Sequence, residues 1–213
     1  MIESATGLIL RTRPLTETSI IVHWLTPNFG RIATVAKGAR RPKSPFLGQL
    51  DLFYVADLAF SRSQRSDLHV LREIGLRELH VPLRQNLPCL RQATYAAAFI
   101  EQATETETPL PVVYDLMLGL LKHLCQQSAK PQTIFAVELK LLHELGLEPN
   151  WAKTGLSDGA KKIAQVLTQR SWPALARLKL TNAQNAELRE FLHGFLIFHL
   201  GRLPKGRTAA LTG

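Results

Sequence analysis

Apolar and polar positions alternate with a period of two up to about residue 80, and beyond it the period lengthens to 3.6. The first region reads as five strands. Thr6–Arg13 is the first, ended by Pro14. Thr18–Leu25 is a β-branched run that a helix would disfavour. Thr26-Pro-Asn-Phe-Gly30 has turn chemistry and leads into Arg31–Lys37, so strands two and three form a hairpin. In the fourth strand Leu50, Leu52, Tyr54, Ala56, Leu58 and Phe60 share a face and alternate with Asp51, Phe53, Val55, Asp57 and Ala59. Polar Ser61–Ser66 turns the chain, and Leu68, Val70, Ile74 and Leu76 line one face of the fifth strand. Five strands without a helix-length pattern fit a small closed barrel, and an OB-fold is a barrel of this size. An SH3-like barrel or an open meander would pattern alike.

The remainder reads as helices, so the class is α+β, with the β part first. Predicted helices run from Leu87 to about Thr106 and from Val112 to about Gln126, separated by Pro109 and Pro111. A third starts at Pro131, with Ile134, Val137, Glu138, Leu141, Leu142 and Leu145 at helical spacing, and Gly146 stops it. Ser157 or Asp158 caps a short helix to Gln169. Thr181-Asn-Ala-Gln184 has the form of a capping box before a helix to about Leu200, in which Leu188, Phe191, Leu192, Phe195, Leu196 and Phe198 are core candidates. The period change divides the chain into a barrel domain, 1–80, and an all-α domain, 81–213. Leu147–Gly159 reads as a loop.

Charge adds a candidate site. From Thr18 to Leu50 there is no Asp or Glu, yet Arg31, Lys37, Arg40, Arg41 and Lys43 fall there, the last four in Val35–Ser44 just after a strand. Clustered cations beside backbone freed by Gly38 suit a polyanion such as a nucleic-acid backbone. From charge alone, a solvated basic loop remains equally open. The net charge of +9 and pI near 9.9 also favour an acidic partner. Residues 101–148 hold seven acids and three bases, and residues 153–207 hold ten bases and three acids, so a second basic region lies in the C-terminal third. Two basic regions can hold two strands of nucleic acid or wrap one.

The sequence offers no catalytic constellation. It has no Gly-x-Ser-x-Gly, His-Glu-x-x-His or Gly-x-Gly-x-x-Gly, and Gly155–Lys161 lacks the spacer and ending of a phosphate loop. Cys89 and Cys125 make no zinc-ligand spacing and read as thiols in a reducing compartment. No metal, cofactor or enzymatic activity is expected. The N-terminus lacks the features of a signal peptide and no apolar run approaches a bilayer span, so a soluble, cytoplasmic protein without membrane contact is expected. OB-folds that hold single strands stack bases on aromatic rings beside cations. Phe29, in a hairpin turn, and Phe46, flanking the basic stretch, are the candidate platforms. Trp24 and Phe53 read as barrel core, although strand two is apolar on both faces and leaves the direction of Trp24 open.

Leu10–Ser19, Thr26-Pro-Asn-Phe-Gly-Arg31, Val35-Ala-Lys-Gly-Ala-Arg-Arg41, Ser44, Gly48, Leu50 and Phe53 together resemble the N-terminal domain of the bacterial recombination mediators of the RecO family. Phe135–Gly146 and Pro149 resemble the family's helical part more weakly. The resemblance implies an OB-fold on a helical domain and a non-enzymatic role in DNA repair and recombination. It implies binding of single- and double-stranded DNA, annealing of complementary strands, contact with the single-strand-binding protein SSB and, with RecR, loading of RecA at gaps, all at the nucleoid. Lys37, Arg40 and Arg41 match the family's basic motif, with Arg11, Arg13, Arg31 and Lys43 in second rank. Phe135, Leu139 and Lys140 match the helix expected to receive the SSB C-terminal tail. Many RecO proteins carry a cysteine cluster where this chain reads Asn150–Ser157 without cysteine, so a zinc module is absent or reduced to a loop. An RNA-binding OB module and a protein-docking adaptor are the competing readings.

Overall fold

The structure, a computed structural model, describes residues 1–212. Its first strand closes a barrel by serving two neighbours. The first half of β1 (Ile2–Pro14) pairs antiparallel with β4 (Val55–Ser61), and the second half with β2 (Ile20–Thr26). β2 and β3 (Gly30–Ala36) form the expected hairpin. β3 runs parallel to β5 (Leu68–Glu78), which returns antiparallel to β4. The closed order β1-β2-β3-β5-β4 is that of an OB-fold and leaves no open edge.

Extra residues in β1 and β5 decide which side chains enter the barrel. The register of β1 skips from Ile9↔Trp24 to Arg11↔His23, leaving Leu10 as a bulge. Ile9 therefore meets Trp24 in the core while Arg11, two residues on, faces out. In β5 the register skips Arg72, between Leu71 and Glu73, and again Arg77, between Leu76 and Glu78. The expectation that Leu68, Val70, Ile74 and Leu76 share an inner face is corrected accordingly. Before the Arg72 bulge His69 and Leu71 are buried, and after it the phase shifts so that Ile74 packs on the core, while Leu76, toward the strand's end, is exposed. The fourth strand is also shorter than its alternation suggests, because Leu50–Tyr54 is a turn in which Phe53 adopts φ 61°.

Trp24 settles inside the barrel, fully buried, its indole N–H donating to Thr34 Oγ1 at 2.9 Å. It packs with Ile9, Val22, Ile32, Leu58, Phe60 and Leu71. The barrel's compact unit also takes in Thr104–Asp115, a return of the chain that the period change does not reveal.

The second unit comprises Pro82–Ala103 and the chain from Leu116 onward. The helices are α1 (Leu87–Ala103), α2 (Pro111–Gln126), α3 (Pro131–Glu144), α4 (Asp158–Gln169), α5 (Trp172–Leu175), α6 (Asn182–Leu200) and α7 (Arg207–Leu211). The local signals operate as expected. Ser157 caps α4, Thr181 and Gln184 form both halves of the capping box on α6, and Gly146 leaves α3 with φ +70°. One core assignment is corrected. α6 buries Leu188, Leu192 and Leu196, whereas Phe191 and Phe195 lie on its flank and Phe198 is 82% exposed. At i, i+4 and i+7 the three phenylalanines form a stripe of their own, about a quarter turn round the helix from the leucines.

Candidate nucleic-acid interface

The basic stretch is a loop of successive tight turns between β3 and β4, held at both ends. Backbone bonds Arg41→Gly38, Ser44→Arg41, Leu47→Ser44 and Gln49→Phe46 build the turns, and Gly38, at φ +68°, supplies the first reversal. The loop is pinned to the β1–β2 turn, where Arg40 N–H donates to the Thr18 carbonyl at 3.0 Å and Gly38 N–H to Ser19 Oγ at 3.3 Å. It is pinned to the barrel by Ala39 and Phe46, both buried in the core cluster. Phe46 is therefore corrected from a base platform to an anchor. Its ring packs with the barrel core beside Trp24, Leu58 and Phe60 as part of one cluster.

With Ala39 and Phe46 turned in, Lys37, Arg40, Arg41 and Lys43 are left on the outside, and all four are exposed. None of them is ion-paired among the described residues, and Glu17, in the adjoining turn, forms no bridge to them. Arg40 alone reaches a neighbour, the Thr16 carbonyl at 3.5 Å. Four uncompensated cations on a pinned loop give a positive field of fixed position.

A second cationic group lies on the outer face of β1–β3. Register places Arg11 opposite His23, with Arg13 two residues along β1 and Arg31 two residues from Ala33, His23's partner on β3. The His23 ring is half-buried and its Nε2 finds no hydrogen-bond partner. Burial, reinforced by Arg11, Arg13 and Arg31, pushes its pKa down to about 4, so at neutral pH it adds no charge of its own. Arg11 and Arg13 are exposed.

Arg31 has a different task. Its guanidinium donates to Thr104 Oγ1 at 2.8 Å and to the Thr104 carbonyl, while its backbone bridges to the Thr104–Thr108 segment. Glu107 N–H donates to the Arg31 carbonyl at 2.9 Å, and the Glu107 carboxylate takes Arg62 and the Nε2 of buried His69. Ser63 N–H donates to His69 Nδ1, which leaves the proton on Nε2, facing Glu107. Arg31 is thus corrected from a DNA contact to a clasp residue. Phe29 is half-buried against the barrel core, its ring perpendicular to that of Phe60 at 5.6 Å. Arg62, His69 and Glu107 are the residues that sequence reasoning missed, since nothing local links positions so far apart.

In the helical unit Phe135 and Leu139 are 0% and 2% exposed and present no surface to a partner, which corrects their assignment as docking residues. The Lys140 ammonium donates to the carbonyls of Thr168 and Arg170 at 2.7 and 2.8 Å, closing the C-terminus of α4. Burial lowers its pKa. Beside it lies a groove of about 500 Å³, lined by Gly119, Lys122, His123, Gln126, Trp172 and Arg177. Gly119 is required there, because a Cβ would stand 2.6 Å from the Trp172 indole. Among the described residues no group of three or more His, Cys, Asp or Glu is assembled as a metal site, and no helix is long and apolar enough to cross a membrane.

Comparison with known proteins gives two family matches. Residues 1–80 match the family model described as recombination protein O N terminal, and residues 84–157 that of recombination protein O C terminal. The chain is 32% identical over 143 residues to a DNA repair protein RecO of Rhodopirellula baltica, covering 67% of this chain and 53% of that one. It is 31% identical over 150 residues to the protein of that name from Exiguobacterium sibiricum, covering 70% and 59%. A third, from Listeria monocytogenes, is 28% identical over 209 residues, covering 94% and 80%. The matched stretch thus spans little more than half the length of the first two relatives.

Proposed function

Given that this chain belongs to the recombination protein O family of DNA repair proteins, we propose that it is a mediator that grips single- and double-stranded DNA by charge and pairs complementary strands without fuel. The observation that carries this reading is the pinned loop with Lys37, Arg40, Arg41 and Lys43 exposed and without carboxylate partners. Such cations displace condensed counterions from phosphates, so binding is steeply salt-dependent and nearly blind to sequence. Arg11 and Arg13 extend the same field along β1. Neutralising two strands at once lowers their mutual repulsion and speeds pairing.

The proposal extends to partners. With RecR and SSB the protein assists RecA loading at gaps, acting as a binding protein rather than an enzyme, in the cytoplasm at the nucleoid. For the SSB tail, acidic and ending in an aromatic residue, the candidate receptor is the groove at Trp172, whose lining combines Lys122 and Arg177 with Trp172, Pro173 and Ala176.

The test is annealing of SSB-coated complementary DNA by the intact chain without ATP, paired with salt titrations. Arg40 and Arg41 together contribute about 1.4 to the salt slope on single strands, at roughly 0.7 per phosphate contact. The double alanine variant flattens the slope by that amount, equally across sequences. An unchanged slope removes the loop as the contact. A marked preference for structured RNA supports an RNA-binding module instead, and no binding near physiological salt supports an adaptor.

A further inference from the structure

Helix α6 has a second face that its leucine stripe does not account for. The rings of Phe191, Phe195 and His199 follow one another at four-residue spacing, with centroids 5.5 and 4.3 Å apart. Trp151 continues the row at one end, 6.2 Å from Phe191, and Phe198 stands edge-on to His199 at the other, at 5.0 Å. Phe198 is 82% exposed and its neighbour Ile197 40%. Gly194, between the rings, leaves the surface open, since a Cβ there would meet nothing within 4 Å. A row of rings ending in an almost fully exposed phenylalanine is a mark of an interaction surface rather than of ordinary packing.

The charge around the row is one-sided. No Asp or Glu occurs in the sequence after Glu190. Arg202 and Lys205 are exposed beyond the Phe198 end and neither is ion-paired among the described residues, while His193 and His199 are exposed along it. The acids lie at the opposite end, where Glu187 and Glu190 precede Phe191 in α6 and Glu148 accepts from the Trp151 indole at 3.5 Å. An apolar partner helix would have to desolvate two imidazoles and two cations to cover these rings. A single-stranded nucleic acid meets both features, because bases stack on the rings and phosphates answer the cations.

We propose that the aromatic ridge of α6, ending in Phe198 and flanked by Arg202 and Lys205, is a nucleic-acid site of the helical unit that takes single strands by base stacking. It rests on the reading that the chain binds nucleic acid, and it gives that reading a second site with its own selectivity. The loop on the barrel recognises phosphate and accepts either form. The ridge needs unstacked bases and excludes the duplex, whose bases are already stacked on one another.

The experiment uses the intact chain and two readouts. Oligothymidine carrying 5-iododeoxyuridine is photocrosslinked and the modified peptides are mapped by mass spectrometry. In parallel, Phe198→Ala and Phe198→Tyr are titrated with a single strand and with a duplex of equal length. Crosslinks fall on Phe198 or His199, Phe198→Ala weakens single-strand binding on the order of ten-fold, Phe198→Tyr retains it, and duplex binding is unmoved. Crosslinks confined to the barrel with Phe198→Ala unchanged overturn the ridge and leave the proposed function standing. Failure of the wild type to retain any oligonucleotide overturns both. A loss of self-association on Phe198→Ala, with oligonucleotide affinity intact, also overturns the site and assigns the ridge to a second copy of the chain.

Discussion

Replacing Arg207 by Met is expected to destabilise the helical unit severely, although Arg207 lies close to the end of the chain. The reason is a buried network. Arg207 Nε and Nη2 donate to the two carboxylate oxygens of Glu138 at 2.7 and 3.0 Å, and the Tyr95 hydroxyl donates to Glu138 Oε1 at 2.5 Å. The side chains of Arg207 and Glu138 are 4% and 0% exposed. Burial and the Glu138 carboxylate push the Tyr95 phenol well above its ordinary range, so it remains a donor. Gln92 holds the same short helix by donating to the Ala210 carbonyl at 3.0 Å. Removing Arg207 leaves a fully buried carboxylate with one neutral partner, a defect of about 3–5 kcal/mol, roughly a fifth or more of the 5–15 kcal/mol stability of an ordinary domain. Removing both charges, as in Glu138→Leu with Arg207→Met, leaves no stranded ion, only a Tyr95 hydroxyl without its acceptor, at about 1–3 kcal/mol, and the Arg189 carbonyl without the two long bonds it takes from Arg207. The assay is urea denaturation of the full chain followed by circular dichroism at 222 nm, which reads the helices, with a double-mutant cycle over the pair. A double variant less stable than Arg207→Met alone, or a coupling energy near zero, would refute the reasoning.

Two further expectations follow from the barrel. Gly30 has φ +62°, and a Cβ there would stand 1.7 Å from the Thr108 carbonyl, so Gly30→Ala displaces the Thr104–Thr108 segment and costs roughly 2–4 kcal/mol. Gly48→Ala, at φ +73° in open space, carries the backbone strain alone, about 1–2 kcal/mol, and equal losses in thermal melts of the two variants would remove the clash from the account. His23 has its pKa lowered from 6.5 to about 4, so between those values the unfolded chain binds a proton that the folded chain refuses. Its contribution is complete above about pH 6.5 and is lost as pH falls toward 4. The loss is about 1–2 kcal/mol after discounting for a half-buried ring, and it is read as the difference between wild type and His23→Gln in urea titrations across that range. A difference that does not change with pH would show that the ring is not held neutral by its surroundings.

Much of the architecture was legible because its signals are local. The β2–β3 hairpin is written in Thr26–Gly30, the α6 start in Thr181–Gln184 and the α3 stop in Gly146, each a short-range arrangement that backbone sterics and one or two hydrogen bonds enforce. The basic stretch was legible for the same reason, since a run of cations without acids needs no partner to be seen. The faces of the strands were not. One extra residue, Leu10 in β1 and Arg72 in β5, inverts the side on which everything beyond it points, and no alternation pattern marks which residue is extra.

The sequence by itself determined the order of elements, the barrel followed by helices, and the position of the uncompensated charge, because these depend on periodicity, caps and composition within a few residues. Only the tertiary structure decided that Phe46 anchors the basic loop from inside the barrel, that Arg31 is claimed by Thr104, that Phe135 and Leu139 are interior, and that Phe198 stands in solvent. An aromatic ring or a guanidinium is equally suited to packing and to recognition. Which task it takes is fixed by the volume and the hydrogen-bond partners that distant parts of the chain bring to it, and those are properties of the folded molecule alone.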